Sequence, residues 1–223
     1  MKNSPRAFSA VMFDLDGTLT DSAEGIVRSI RYALAKLGIM EDDPARLKRF
    51  IGPPLKDSFR EFYGVDEDML DQVLAWYRER YIPHGMYENR LYPGVLEMLE
   101  TLSKSGMRLF IATAKPEPMA VKIAAHFGIT RYFEAIVGSL LDETRTCKED
   151  VIRHLVATYL AGDTRGLVMV GDHMHDMTGA LLTGAHPIGV AWGYGSRREL
   201  IDSGAAAIAQ TPEELVGLLE AGL

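Results

Sequence analysis

The feature that most restricts what this chain can fold into is a series of short apolar runs, each stopping at a turn and followed by a helical pattern. The runs are residues 10–14 (AVMFD), 108–113 (RLFIAT), 135–138 (AIVG), 167–171 (LVMVG) and 187–191 (PIGVA), with a last short one at 206–209. Uninterrupted apolar runs of this length read as buried strands. Between them, residues 95–104 place Val95, Leu96, Leu99 and Leu102 on one helical face, and helical patterns follow at 116–127 and 149–159. The final helix has a clear start, with Thr211 as N-cap, Pro212 at its first position and Glu214 closing a capping box. Strands alternating with helices predict an α/β fold, a Rossmann-like parallel sheet covered by helices on both faces.

One interval breaks the alternation. From residue 22 to 91 only helical signals occur, at 23–37, 44–50, 54–63 and 67–82, the last carrying Met69, Val73, Trp76 and Tyr77 in a 3.6-residue stripe. Gly38, Gly52-Pro53-Pro54 and Pro83-His84-Gly85 punctuate it. The expected organisation is therefore an α/β core made of residues 1–20 and 92–223, with a helical subdomain inserted at 21–91.

Composition narrows the function. A chain of 223 residues can bury a core without staples, and its single cysteine, Cys147, rules out an internal disulfide, which fits a cytoplasmic setting. The first residues contain no long apolar stretch, so neither a signal peptide nor a membrane span is expected. A net charge of −7 without a basic stripe disfavours nucleic acid. An anionic substrate would need local positive charge, which a bound cation and one or two lysines would supply.

Four clusters carry the chemistry. Asp14-Leu15-Asp16-Gly17-Thr18 ends the first strand, where ligands bind in parallel sheets, and Gly17 permits a sharp turn that could aim both aspartates at one point. Alone, the pair also fits a turn with solvated carboxylates. Gly171-Asp172-His173-Met174-His175-Asp176 again puts carboxylates at a strand end, though it would also serve as a helix cap. Together, the four aspartates suggest an oxygen-ligated divalent site, suited to Mg²⁺ when a phosphate completes the coordination. Thr113-Ala114-Lys115-Pro116-Glu117 offers a hydroxyl and backbone N–H groups for phosphate oxygens, or is an ordinary strand-to-helix turn. Lys148 lies near the start of a helix; a lone lysine is most often solvated.

FDLDGTLTDS, a strand ending in threonine, a lysine, then GDxxxD resembles, in order, the four motifs of the haloacid dehalogenase superfamily. Ile51-Gly52-Pro53-Pro54-Leu55, TAKPE and the WGYG turn at 192–195 resemble its phosphoglycolate-phosphatase-like branch, which inserts a helical cap after the first motif. The resemblance implies a Mg²⁺-dependent phosphatase of a small phosphorylated metabolite. Asp14 would be the nucleophile and Asp16 the general acid and then base. Asp16, Gly17, Thr113, the Ala114 backbone and Lys148 would hold the phosphate, with Lys148 also steadying Asp14. Asp14, the Asp16 carbonyl and Asp172 would ligate Mg²⁺, with Asp176 nearby, directly or through water. Gly52, Pro53, Leu55 and Lys56 of the cap are candidates for substrate selection. A monomer or homodimer is expected.

The chain departs from the branch at Ala114, where serine is frequent, and at His173, where arginine is frequent. His173 and His175 raise the possibility of a transition-metal site, but polar support is the expected role. Cys147 has no histidine-based partner pattern and is not expected to be a nucleophile. Trp192 and Tyr194 are expected to pack at the sheet edge. A 5′-nucleotidase, an inorganic pyrophosphatase and a sugar phosphomutase are the enzymatic alternatives. A binding protein on a retired phosphatase fold is the non-enzymatic one, opposed by the completeness of the motif set.

Overall fold

A computed structural model describes residues 7–140 and 144–222. The chain divides into two compact units, Met1–Thr20 with Leu91–Leu223, and Asp21–Arg90. The first holds a six-stranded sheet of β1 (Ala10–Phe13), β4 (Arg108–Pro116), β5 (Ala135–Ser139), β6 (Leu167–Gly171), β7 (His186–Val190) and β8 (Ala207–Ala209). Their order is β5-β4-β1-β6-β7-β8, every neighbouring pair parallel. Helices α5 (Val95–Lys104), α6 (Glu117–His126), α7 (Lys148–Tyr159), α8 (Met174–Thr183), α9 (Arg197–Asp202) and α10 (Pro212–Ala221) connect or follow them.

The apolar runs become strands because both faces of the sheet are covered. Val11, Met12, Phe13, Phe110, Ile111, Val168, Met169 and Val170 are all fully buried, so a continuous apolar run, not an alternating one, is what such a sheet requires. β1 lies between β4 and β6: the chain works outward through β4 and β5, then returns to the other side of β1 for β6, β7 and β8. That reversal opens a crevice at the carboxyl ends of the three central strands, the usual ligand position in such sheets.

Two expectations needed correction in detail. β4 was expected to end at Thr113; it continues to Pro116 through an irregularity between Ala112 and Pro116, because β5 still offers a partner at Ser139. At α10, Thr211 Oγ1 accepts from Glu214 N at 3.1 Å, as expected of an N-cap, but the Glu214 carboxylate accepts from Gln210 N at 2.7 Å, one residue upstream of the usual box partner.

The second unit holds α1 (Ala23–Lys36), α2 (Pro44–Lys48), α3 (Leu55–Tyr63) and α4 (Glu67–Tyr81). Ile26, Ile30, Ala33 and Leu34 of α1 are buried, as are Leu70, Val73, Leu74, Tyr77 and Tyr81 of α4. Phe50 packs edge-on against Phe59 and Phe62, with ring centroids 4.9 and 5.2 Å apart. Glu88 takes Arg80 at 2.8 Å and Arg28 at 2.7 Å, and these cations hold its carboxyl down at about 2. Where sequence showed only helices, two short strands also form: β2 (Thr20–Asp21) pairs with β3 (Arg90–Leu91), and Arg90 binds Asp21 through two nitrogens at 3.0 and 2.6 Å. No helix among the described residues is long and apolar enough to cross a membrane.

Candidate active site

Three adjacent strand ends build the site. Asp14 leaves β1 with its N–H donated to Val170 O at 2.9 Å, which fastens it to the end of β6. The chain then folds back on Leu15, whose carbonyl accepts from Leu19 N at 3.0 Å and Thr20 N at 2.9 Å. Gly17 sits inside this turn at φ +88°, and a Cβ there would strike the Asp172 carboxylate. Glycine is thus required twice, for the left-handed backbone and for the approach of a side chain from β6.

Asp172 and Asp176 follow β6. The Asp172 carboxylate accepts from Thr18 Oγ1 at 3.2 Å and from Tyr194 N at 2.8 Å. Asp176 accepts from His173 N at 3.0 Å with one oxygen and pairs with Lys148 Nζ at 2.7 Å with the other. Lys148, at the start of α7, also reaches Asp14 Oδ1 at 2.7 Å and donates to Ala112 O at 2.9 Å. Far from being solvated, it is 5% exposed. Burial works against its charge, but Asp14 and Asp176 outweigh burial and hold the ammonium above its usual range.

Asp14, Asp172 and Asp176 each place a carboxylate oxygen within 4.8 Å of the others. Three carboxylates against one lysine leave excess negative charge in a buried place. Burial first, then Asp176 and Asp14, push Asp172 up to about 8, and burial likewise raises Asp176 despite Lys148. Only a cation, or a proton, relieves this. The donor set, all hard oxygen, fits a divalent ion such as Mg²⁺. The Asp16 side chain lies outside this cluster and pairs with Lys115 Nζ at 2.9 Å.

Thr113 is buried on β4, and its Oγ1 accepts from Lys115 N at 3.2 Å, which leaves its hydroxyl proton to donate elsewhere. Ala114 beside it is half-buried. Gly52, Pro53, Leu55 and Lys56 lie in the second unit, at the start of α3, and Lys56 pairs with Asp71 of α4 at 2.9 Å. His173 stacks on His175 at 4.9 Å and faces Glu199 at 3.3 Å; burial lowers the pKa of both rings. Cys147 donates to Asp150 at 3.0 Å, and burial raises its pKa, the opposite of what a thiolate nucleophile needs.

Sequence reasoning missed the role of the 192–195 turn. Trp192 and Tyr194 do more than pack: Trp192 Nε1 donates to Thr18 O at 2.9 Å, and Tyr194 N holds Asp172. A Cβ at Gly193 would strike both Asp172 and the Gly17 carbonyl, so the WGYG turn is the wall behind the carboxylates. The two glycines were the legible signal. Lys115 was also passed over.

A parallel sheet that gathers buried carboxylates and a lysine at its central strand ends is the scaffold of an α/β enzyme acting on phosphate monoesters. Residues 11–190 match the family described as haloacid dehalogenase-like hydrolase, and the chain belongs to that family as a phosphoric monoester hydrolase. It is 48% identical over 205 residues to a 5′-nucleotidase of Pseudomonas aeruginosa, covering 90% of each chain. It is 41% identical to the tyrosine-protein kinase PtkA of Mycobacterium tuberculosis, over 92% of this chain and 70% of that one. A phosphoglycolate phosphatase of Agrobacterium fabrum is 32% identical, over 82% and 80% of the two chains. Among solved structures, a predicted phosphatase from Clostridium acetobutylicum superposes with a TM-score of 0.90 at 42% identity, covering 94% of this chain and 97% of that one.

Proposed function

We propose that this chain is a Mg²⁺-dependent phosphatase of small phosphorylated metabolites, with nucleoside 5′-monophosphates as its principal substrates, working through an aspartyl-phosphate on Asp14. The observation that carries the chemistry is the buried Lys148 ammonium bridging Asp14 and Asp176 beside Asp172. The Asp14 carboxylate attacks phosphorus while the bond to the leaving oxygen breaks. Asp16 gives that oxygen a proton, so an alcohol departs. Asp16 then takes a proton from water as the water oxygen attacks phosphorus. The bond from phosphorus to Asp14 breaks, freeing inorganic phosphate and restoring the carboxylate. Thr113 and the Ala114 N–H hold phosphoryl oxygens, and Lys148 neutralises charge and keeps Asp14 oriented. Asp14, the Asp16 carbonyl and Asp172, with Asp176 beside them, would hold Mg²⁺, which when bound would supply positive charge to the transferring group.

The 48% relative named 5′-nucleotidase favours nucleotides over phosphoglycolate, whose named relative is more distant. The unit Asp21–Arg90 acts as the cap, and Gly52, Pro53, Leu55 and Lys56 take part in choosing the leaving group. Phosphate release across nucleoside 5′-monophosphates, phosphoglycolate, pyrophosphate and sugar phosphates tests the reading. Nucleotides should give the highest kcat/KM, excess chelator should stop turnover, and Asp14→Asn should abolish it with the fold intact. A phosphoglycolate preference would overturn the substrate assignment. Label passing from ATP to tyrosine, with no phosphate release, would overturn the hydrolase reading itself.

A further inference from the structure

Two lysines with little side-chain exposure lie at this site, and they serve different carboxylates. Lys148 is committed to Asp14, Asp176 and the Ala112 carbonyl. Lys115, near the end of β4, has a side chain only 7% exposed, with its Nζ 2.9 Å from Asp16 Oδ2; the Asp16 side chain is 15% exposed. The other oxygen, Asp16 Oδ1, is buried with no hydrogen-bond partner among the described residues. One oxygen is therefore fixed and the other left open to a proton.

The lysine itself is braced. Its N–H is donated to Thr113 Oγ1 at 3.2 Å, and a Cβ on Gly138 would strike its carbonyl, so β5 lies hard against this stretch. Just beyond, Glu117 accepts from Gly138 N at 3.2 Å and from Arg145 at 2.6 Å, and Arg145 donates in turn to Gly138 O at 2.7 Å. The irregular end of β4 is thereby fixed by hydrogen bonds on both sides of Lys115.

We propose that Lys115 is the positioning residue for Asp16, its ammonium holding Oδ2 so that Oδ1 carries the proton to the leaving oxygen and later receives the proton of the attacking water. This rests on the reading of Asp16 as the acid and base. A lysine that merely balanced charge would leave the two proton transfers intact. One that gripped substrate would act on binding.

Leaving groups separate these cases. 4-Nitrophenolate needs no proton to depart, whereas a nucleoside alkoxide does. With the full chain and Mg²⁺, Lys115→Met should keep the wild-type burst of nitrophenolate from 4-nitrophenyl phosphate. Hydrolysis of the phosphoenzyme, which needs an activated water, should slow by up to about 100-fold, the low end of what a positioned acid or base contributes. Nucleoside release from a 5′-monophosphate in a single turnover should slow by a similar factor, with KM unchanged and Lys115→Arg restoring most of the rate. A full-amplitude burst reports an intact fold in the same assay. A raised KM with kcat preserved would overturn the proposal, as would equal loss of burst and steady phase in both Lys115→Met and Lys115→Gln. Asp16→Asn is the separate control: if it slows the first-turnover release of 4-nitrophenolate as much as that of the nucleoside, it is the acid–base reading that fails.

Discussion

Asp172 is where the site's charge imbalance becomes measurable. Its ordinary value is 3.8, and in the fold it is pushed up to about 8. Between those values the folded state, without metal, holds a proton that the unfolded chain has released, so stability falls as pH rises and levels off above the folded value. Burial shifts His173 and His175 downward, which works the other way, stability rising with pH, and that opposing slope fades above the ordinary histidine value of 6.5. Metal-free protein should therefore lose Tm from about pH 7 to pH 8, and Mg²⁺ should restore more at the upper end, where no proton competes. Scanning fluorimetry with and without chelator checks this; a metal-free Tm that rises over that range would contradict it. The acidic motifs at Asp14–Asp16 and Asp172–Asp176 pointed to one site only when read together, since either alone fits a turn or a helix cap; the fold brings Asp14, Asp172 and Asp176 to one place. Lys115 was not legible in sequence, because its partner is reached across two neighbouring strands whose adjacency only the folded sheet creates. Nor was the Tyr194 contact, since a backbone N–H donor leaves no trace in residue identity.

At the scale of elements, the 192–195 turn follows β7 and packs against Asp172 at the carboxyl end of β6, a Mg²⁺ ligand on the proposed reading. Because Gly193 lies against Asp172 and the Gly17 carbonyl, Gly193→Ala should displace both. Lost support behind a metal ligand costs about 10- to 100-fold in metal affinity, so the Mg²⁺ concentration for half-maximal phosphate release should rise by that order. The fold should survive, which circular dichroism would verify; an unchanged Mg²⁺ requirement would show that the turn yields freely. The buried strands were readable from their uninterrupted apolar runs, and α5, α6 and α7 from helical patterns between them; α9 was not read. The extension of β4 through Lys115-Pro116 was not, because proline reads as a breaker and only the partner at Ser139 shows that pairing resumes. The short β2–β3 pair was equally hidden, being two residues long on each side.

At the scale of the whole molecule, the two units differ in how their contacts map onto the chain. Asp21–Arg90 is continuous, whereas the sheet unit joins the first residues to those after Leu91. An isolated 21–90 segment should show helical circular dichroism, while a chain cut before β6 should leave the sheet unformed, because β1 would lose one of its two neighbours. A cut chain with a cooperative sheet transition would refute this. The order of synthesis gives the same arrangement a further consequence. β1, which pairs on both sides in the sheet, is made well before β6, which is not complete until Gly171. At 5–20 residues per second a ribosome takes roughly 10–30 s to cover that gap. Throughout it one edge of β1 stays unpaired, an apolar edge open to association while translation proceeds.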